Sequence, residues 1–345
     1  MKKILCTIGP SSLNEKTIKG LEDNGCSLFR INLSHTRIKN LENVVSKVRE
    51  FTDIPICFDS EGAQVRTTKF NFDFKLGHKY TLTNSENSFS IRPFIITQQL
   101  NPGDLISVDF NTALVKVLEV SKDSIIVETV NAGKTGENKA VTIIKGVNIP
   151  AFSQKDFKAF RLGTKLGIKN YALSFASNDK FVQELRALVP KNSFIISKIE
   201  SNQGVKNLLK IIHHSDAILI DRGDLSREVS FEKIPVLQKL IIEKTRQLNK
   251  DVFVATNLLE SMVENPVPNR AEINDIYNTL LDGASGLVLA AETAIGKYPI
   301  ASIAIVKNVI NFYNSFEMNK DISNKNYEEV IKAINEPITC NFDRP

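Results

Sequence analysis

Eight short apolar runs, each followed by an amphipathic stretch, set the tightest limit on how this chain can fold. The runs are residues 4–7, 28–31, 54–58, 171–175, 194–197, 217–220, 252–255 and 286–289. They are rich in Ile, Val, Leu, Phe and Ala, as expected of strands covered on both faces in a parallel sheet. Between them, apolar residues recur with helical period over 15–23, 38–51, 154–166, 180–188, 204–212, 234–248 and 270–281, and a last helical stretch covers 300–313. Ser153-Gln154-Lys155-Asp156 reads as a capping box opening the fourth of these units. Eight strand–helix units are the number that closes a (β/α)8 barrel, so the fold class is α/β, a TIM barrel.

The third unit is interrupted. After Arg66 the helical pattern is lost for about 80 residues. Residues 76–82, 105–109, 114–118 and 124–128 alternate as strands, and Asn101-Pro102-Gly103-Asp104 is a strong turn. Helical character returns after Asn148-Ile149-Pro150. The economical organisation takes 1–66 as the first part of the barrel and 67–147 as a small inserted β-barrel-like domain. Residues 148–318 complete the barrel, and 319–345 form a short polar tail with one helix at 327–334. An insert in that loop is expected over the rim as a lid.

Composition excludes several classes. The 345 residues are 42% hydrophobic, enough for a large core and a smaller second one. The net charge is +5, but acids and bases are interleaved, as in residues 40–50, and no dense basic stripe suggests nucleic-acid binding. The surplus still favours anionic metabolites. Cys6, Cys26 and Cys57 lie in or beside apolar runs and read as buried reduced thiols; Cys340 is in the tail. His35, His78, His213 and His214 have no zinc-ligand spacing. The N-terminal apolar run breaks at Gly9-Pro10, too soon for a signal peptide, and no run is long enough to span a membrane. The expected setting is cytoplasmic.

Chemistry concentrates after the fifth and sixth runs. Ser197-Lys198-Ile199-Glu200 and Asp221-Arg222-Gly223-Asp224-Leu225 each emerge from a buried strand, at the barrel end where such folds place their sites. One lysine and two carboxylates on a rigid rim suit a divalent ion and a phosphate.

With these residues the chain resembles the pyruvate kinase family. The resemblance runs in family order through Cys6-Thr7-Ile8-Gly9-Pro10-Ser11-Ser12, Phe29-Arg30-Ile31-Asn32-Leu33-Ser34-His35, Ser197-Lys198-Ile199-Glu200 and Arg222-Gly223-Asp224-Leu225. It continues in Ala255-Thr256-Asn257-Leu258-Leu259-Glu260-Ser261-Met262, Arg270-Ala271-Glu272, Leu281-Asp282-Gly283-Ala284 and Glu292-Thr293-Ala294-Ile295-Gly296-Lys297-Tyr298-Pro299. The family fold is a barrel with a β lid and a C-terminal regulatory domain, of which this chain resembles the first two. The resemblance therefore implies no effector control of the usual kind, and a homodimer through barrel surfaces rather than the usual tetramer.

The family moves the phosphoryl group of phosphoenolpyruvate to ADP, where fixed cations offset the charge of the transferring group. By resemblance, Lys198 stands beside that group, and Glu200 and Asp224 hold Mg2+ or Mn2+. The plain alternatives are a rim ion pair for Lys198, a helix cap for Asp224 and a solvated helix start for Glu200. The turn at Gly223 and Asp224 also offers backbone N–H groups to a substrate carboxylate. Asn32, Ser34, Asp59 and Ser60 match the family's K+ site, although Asn32 and Ser34 are also ordinary turn residues.

Arg30 and Arg66 match arginines approaching phosphates, with internal salt bridges as the alternative. His35 matches a nucleotide-side position, and Lys145 and Asn148 the conserved end of the lid. Thr256 matches the threonine of the proton-delivery region; otherwise it caps a helix. Glu260 and Arg270 are expected to support the rim and subunit contacts, and Glu292 to support the site from behind.

Several positions depart from the family. Asp59-Ser60-Glu61-Gly62-Ala63-Gln64-Val65-Arg66 stands where Asp-Thr-Lys-Gly-Pro-Glu-Ile-Arg is usual. Phe110 replaces a lid aspartate, Ser177 an arginine, Ala290 a serine and Asn257 a glutamine. Asp221 replaces an alanine, and four outcomes are open: repelling a substrate carboxylate, adding a metal ligand, binding an amino group, or pointing away with Arg222.

The leading expectation is a pyruvate kinase-like phosphotransferase using phosphoenolpyruvate and ADP, slow or specialised. A Mg-dependent enzyme of the same fold acting on another small enolpyruvate or 2-keto acid, as phosphotransferase or lyase, is the first alternative. A non-catalytic metabolite-binding homologue is the second.

Overall fold

The computed structural model describes residues 2–85, 87–109 and 111–317. Phe110, Cys340 and the helix expected at 327–334 lie outside the described residues. The chain divides into two units, Met1–Glu61 with the chain from Gln154 onward, and Gly62–Ser153.

The first unit is a closed barrel of eight parallel strands. They are β1 (Lys3–Thr7), β2 (Cys26–Asn32), β3 (Ile56–Asp59), β4 (Asn170–Leu173), β5 (Phe194–Ile199), β6 (Ala217–Asp221), β7 (Asp251–Ala255) and β8 (Gly286–Leu289). Each pairs with its neighbours in sequence, and β1 closes on β8. Three runs extend one residue past the last apolar position: β2 to Asn32, β3 to Asp59 and β6 to Asp221. Those polar ends belong to the site.

The helices form where amphipathic stripes meet local caps. In α1 (Glu15–Asp23) the Asn14 side chain accepts the Thr17 N–H, while Thr17, Ile18 and Leu21 are buried. α2 (Ile38–Phe51) buries Leu41, Val45 and Val48 on one stripe. α3 (Gln154–Lys165) and α4 (Asp179–Leu188) follow, the latter capped by Asn178.

The single helix expected at 204–212 is two, α5 (Asn202–Lys206) and α6 (Leu208–His214). Asn207 interrupts them with ψ 11°, and its side-chain amide donates to Ser177 O at 2.7 Å. A polar side chain that binds backbone elsewhere competes with helix continuity. The remaining helices are α7 (Arg222–Leu225), α8 (Ile234–Gln247), α9 (Arg270–Leu281), α10 (Ala291–Ala294) and α11 (Pro299–Glu317). α9 opens on a reciprocal box between Asn269 and Glu272. Asp156, expected in a capping box, accepts the Glu61 N–H at 2.7 Å.

Inside the barrel, Leu5, Cys57, Ala172, Ile196, Ala217, Leu219, Phe253, Ala255 and Val288 pack together. Small and large side chains share that interior, which an eight-stranded barrel leaves just wide enough to fill. Among the described residues no helix is long and apolar enough to cross a membrane.

The second unit is antiparallel. Its five-stranded sheet runs in the order Val141–Ile143, Leu105–Val108, Ala113–Val120, Ser124–Asn131 and Lys79–Thr83, with two two-stranded ribbons beside it. A 3-10 turn at Phe94–Gln99 is its one helical piece among the described residues. Phe72, Phe74, Tyr80 and Phe89 pack ring to ring in its core.

Barrel closure makes Gly286 a sensitive position. A Cβ there would lie 2.4 Å from the Lys3 carbonyl oxygen and 3.0 Å from the Phe253 ring. The first obstacle is backbone, which cannot rotate aside. Gly286→Ala is expected to destabilise the protein by about 1–3 kcal/mol. Urea unfolding would show it as a lower midpoint at unchanged slope, whereas an unchanged midpoint would mean that the seam has slack.

Candidate active site

Alternate residues of a strand face the same side, so the inward column continues two residues past the apolar interior. Leu5 leads to Thr7, Leu28 to Arg30, Cys57 to Asp59, Ile196 to Lys198, and Leu219 to Asp221. The layer above the apolar interior is therefore polar and charged. Ser174 follows Ala172 just beyond β4, and Glu200 follows Lys198 just beyond β5.

Lys198 is 4% exposed and stands at the centre of this layer. Its Nζ lies 2.8 Å from Glu200 Oε1, 3.3 Å from Asp59 Oδ2 and 3.4 Å from Asp221 Oδ2. It also donates to Ser174 Oγ at 3.4 Å. Burial alone would discharge the amine, but Asp59, Glu200 and Asp221 outweigh it and hold the ammonium well above its ordinary range.

Arg30 supplies the second buried cation. Its Nε donates to Asp59 Oδ2 at 2.7 Å and its Nη1 to Thr7 Oγ1 at 2.7 Å. Thr7 in turn donates to Leu289 O. Asp59 is thus gripped by Arg30 and Lys198 on one oxygen and lies 3.2 Å from the Ser174 hydroxyl on the other. The Ser174 N–H donates to Ser60 Oγ at 2.8 Å. Asn32 faces Asp59 across the β2–β3 register, and its Oδ1 accepts the Ser34 N–H at 2.9 Å. Carboxylate and hydroxyl oxygens of Asp59, Ser60 and Ser174 thus lie close together, with Asn32 opposite Asp59 on the adjoining strand.

Glu200 is 2% exposed. Its Oε2 accepts the Phe175 N–H at 2.6 Å, delivered by a backbone turned left-handed at Phe175 (φ 51°). Its Oε1 is buried and is met by the Lys198 ammonium at 2.8 Å. One carboxylate oxygen from each of Glu200, Asp221 and Asp224 lies within 4.8 Å of the others. Burial, with Asp221 and Asp224 nearby, pushes the Glu200 carboxyl up to about 8 against the pull of Lys198. Three crowded carboxylates supply the oxygen donor set that fits a bound divalent cation.

Asp221 points into the site rather than away with Arg222. Its Oδ1 accepts the Thr256 hydroxyl at 2.6 Å. Burial opposes its ionisation, yet Lys198 and that hydroxyl hold it below the usual carboxylate range. Asp224 accepts from Arg227 at 3.0 Å.

Thr256 caps no helix. Its φ is 78°, unfavourable for a β-branched residue, and the Arg222 guanidinium clamps its carbonyl at 2.7 Å and 3.2 Å. Arg222 is anchored to Asp275 at 2.8 Å. A Cβ on Gly223 would fall 2.8 Å from Thr256 Cγ2, so bare backbone is needed there.

The barrel thus brings together Arg30, Asp59, Lys198, Glu200, Gly223, Asp224 and Thr256, with Asn32, Ser34 and Ser60 on the adjoining rim. His35 is exposed just before α2. Arg66 and Lys145 belong to the second unit, where Arg66 donates to Asn138 O and Gln64 Oε1, and Lys145 pairs with Asp104. Glu292 is buried and accepts the N–H groups of Leu259 and Ala290. The sequence reading missed Ser174 and the Phe175 amide. A serine in a loop and a backbone N–H carry no signal of their own; only the inward column points to the first.

The family profile for the pyruvate kinase barrel domain matches residues 1–303. The pyruvate kinase of Thermotoga maritima is 32% identical over 330 residues, covering 89% of this chain and 70% of that one. That of Bacillus licheniformis is 31% identical, covering 97% of this chain and 61% of its own length. The crystal structure of a pyruvate kinase from Cryptosporidium parvum superposes with a TM-score of 0.83 at 29% identity, covering 96% of this chain and 71% of that chain.

The raised Glu200 carboxyl gives a pH signature. Between its ordinary value of 4.5 and about 8, the folded metal-free protein keeps a proton that the unfolded chain releases. Stability attributable to this group therefore falls as pH rises through that window. Glu200→Gln does not titrate, so its Tm relative to wild type should rise between about pH 5.5 and about pH 8.5 in EDTA. A pH-independent difference in thermal melts would contradict the assignment.

Proposed function

Since the chain belongs to the pyruvate kinase family, we propose that it transfers the phosphoryl group of phosphoenolpyruvate to ADP, giving pyruvate and ATP. The observation that carries this reading is a buried Lys198 whose Nζ reaches Glu200 and Asp221, two of the three carboxylates clustered on the rim of the barrel. The P–O bond of phosphoenolpyruvate breaks, a new bond forms to the terminal phosphate oxygen of ADP, and the enol carbon takes up a proton.

Lys198 and Arg30 meet the charge of the transferring phosphoryl group. Both are held in place by Asp59, so neither has to reorganise as charge develops. Glu200 and Asp224 hold Mg2+ or Mn2+, which supplies charge neutralisation to substrate oxygens. Asn32, Ser34, Asp59 and Ser60 supply oxygens for K+. The bare backbone at Gly223 lets Thr256 pack close against it, and the Thr256 hydroxyl donates to Asp221 Oδ1. Arg66, His35 and Lys145 are assigned to the nucleotide. Cytoplasmic action and a homodimer complete this reading.

Asp221 favours a second reading. An extra acid at the metal cluster suits an enzyme of the same fold that works on another small 2-keto acid, as a phosphotransferase or a carbon–carbon lyase.

The test is pyruvate and ATP formation from phosphoenolpyruvate and ADP with Mg2+ and K+, for wild type and Lys198→Ala. ADP-dependent turnover that drops about 10³-fold or more in the variant is expected. Absence of turnover in folded, metal-loaded wild type would remove the first reading. Nucleotide-independent pyruvate release from a hydroxy-keto acid would establish the second.

A further inference from the structure

Three carboxylates meet at the rim, and the roles assigned above use only two of them for the divalent ion. We propose that Asp221 is a third protein ligand of that ion, joining Glu200 and Asp224 so that metal binds firmly before any substrate arrives. The inference rests on the metal site of the proposed function and deepens it.

Placement is the first argument. Asp221 ends the inward column Ala217, Leu219, Asp221, and its oxygen lies within 4.8 Å of those of Glu200 and Asp224. Its side chain is 13% exposed, so water solvates it poorly.

Charge is the second. Arg30 and Lys198 are the cations buried in this layer, against the carboxylates of Asp59, Glu200 and Asp221. Both cations already serve Asp59, and Asp224 is matched by Arg227. Glu200 and Asp221 are left to share the Lys198 ammonium, so the site has fewer cations than carboxyl groups to receive them. A divalent ion there removes the imbalance.

Unfilled acceptor capacity is the third and independent sign. Glu200 Oε1 is fully buried and meets the Lys198 ammonium at 2.8 Å, outside good hydrogen-bond alignment. Asp221 Oδ2 has Lys198 Nζ only at 3.4 Å, at the limit of a useful contact. Both oxygens keep lone pairs for a cation.

Orientation is the fourth. The Thr256 hydroxyl fixes Asp221 Oδ1, and Thr256 itself is fixed by Arg222, which is tied to Asp275. Ligating carboxylates held in this way by outer hydrogen bonds are aimed before metal arrives. With three protein carboxylates the ion relies less on substrate oxygens to complete its coordination. Asp221 then sets how strongly metal and an anionic substrate depend on one another.

The experiment is Mn2+ titration of the metal-free full chain without substrate, followed by the EPR signal of free Mn2+. Wild type is compared with Asp221→Asn, Asp221→Ala and Glu200→Gln, each checked for a cooperative thermal melt. The Asp221 variants should bind Mn2+ about tenfold or more weakly. Added phosphoenolpyruvate should tighten Mn2+ more in Asp221→Ala than in wild type, because a substrate carboxylate can take the freed position. A purely structural role for Asp221 would not produce that stronger coupling. Asp221→Asn keeps the shape and the acceptor for Thr256, so it reports even if Asp221→Ala does not fold. Wild-type affinity in the Asp221 variants, with loss in Glu200→Gln, would overturn the third ligand and leave the two-carboxylate site standing. Wild-type affinity in all of them would overturn both.

Discussion

An ammonium group cannot leave water without partners, and Lys198, 4% exposed, finds them in the carboxylates of Asp59, Glu200 and Asp221. These come from strands three, five and six or their ends. Breaking such a buried set by removing its cation is far costlier than the set's net contribution to folding, because the acids are left uncompensated. Asp59 depends on Arg30 as well, and Arg30 on Thr7 of the first strand. Glu200 depends on the Phe175 amide, and Asp221 on the Thr256 hydroxyl. Charge balance around one lysine thus ties most of the barrel strands into a single arrangement.

That arrangement follows from strand periodicity. The apolar interior ends in Leu28, Cys57, Ile196 and Leu219, and two residues on the same columns deliver Arg30, Asp59, Lys198 and Asp221. Site residues on strands are aimed with little freedom, and the left-handed residues Phe175, Thr256 and Asn257 mark where the loops are bent to serve them. Local strain of this kind persists because surrounding bonds over-determine it. The Arg222 clamp on the Thr256 carbonyl is the clearest instance.

Much of this was legible in the residues. Eight apolar runs and the helical stripes between them gave the barrel, because parallel strands buried on both faces have little choice of composition. Strand ends were harder to read. Apolarity stops at Phe58 and Ile220, but the strands continue to Asp59 and Asp221, since the polar residues at a site are still hydrogen-bonded in the sheet. Family motifs pointed to Lys198, Glu200 and Asp224. They said nothing about the direction of Asp221, which depends on a hydroxyl 35 residues away. The break at Asn207 and the part of Ser174 depend on contacts made only once distant loops meet.

The most direct test is anomalous diffraction from crystals of the protein grown with Mn2+. The account predicts one strong peak at bonding distance from carboxylate oxygens of Glu200 and Asp224, with Lys198 Nζ beside it but outside the coordination shell. Manganese bound elsewhere, with Glu200 still closed on Lys198 and its site filled by water, would contradict it.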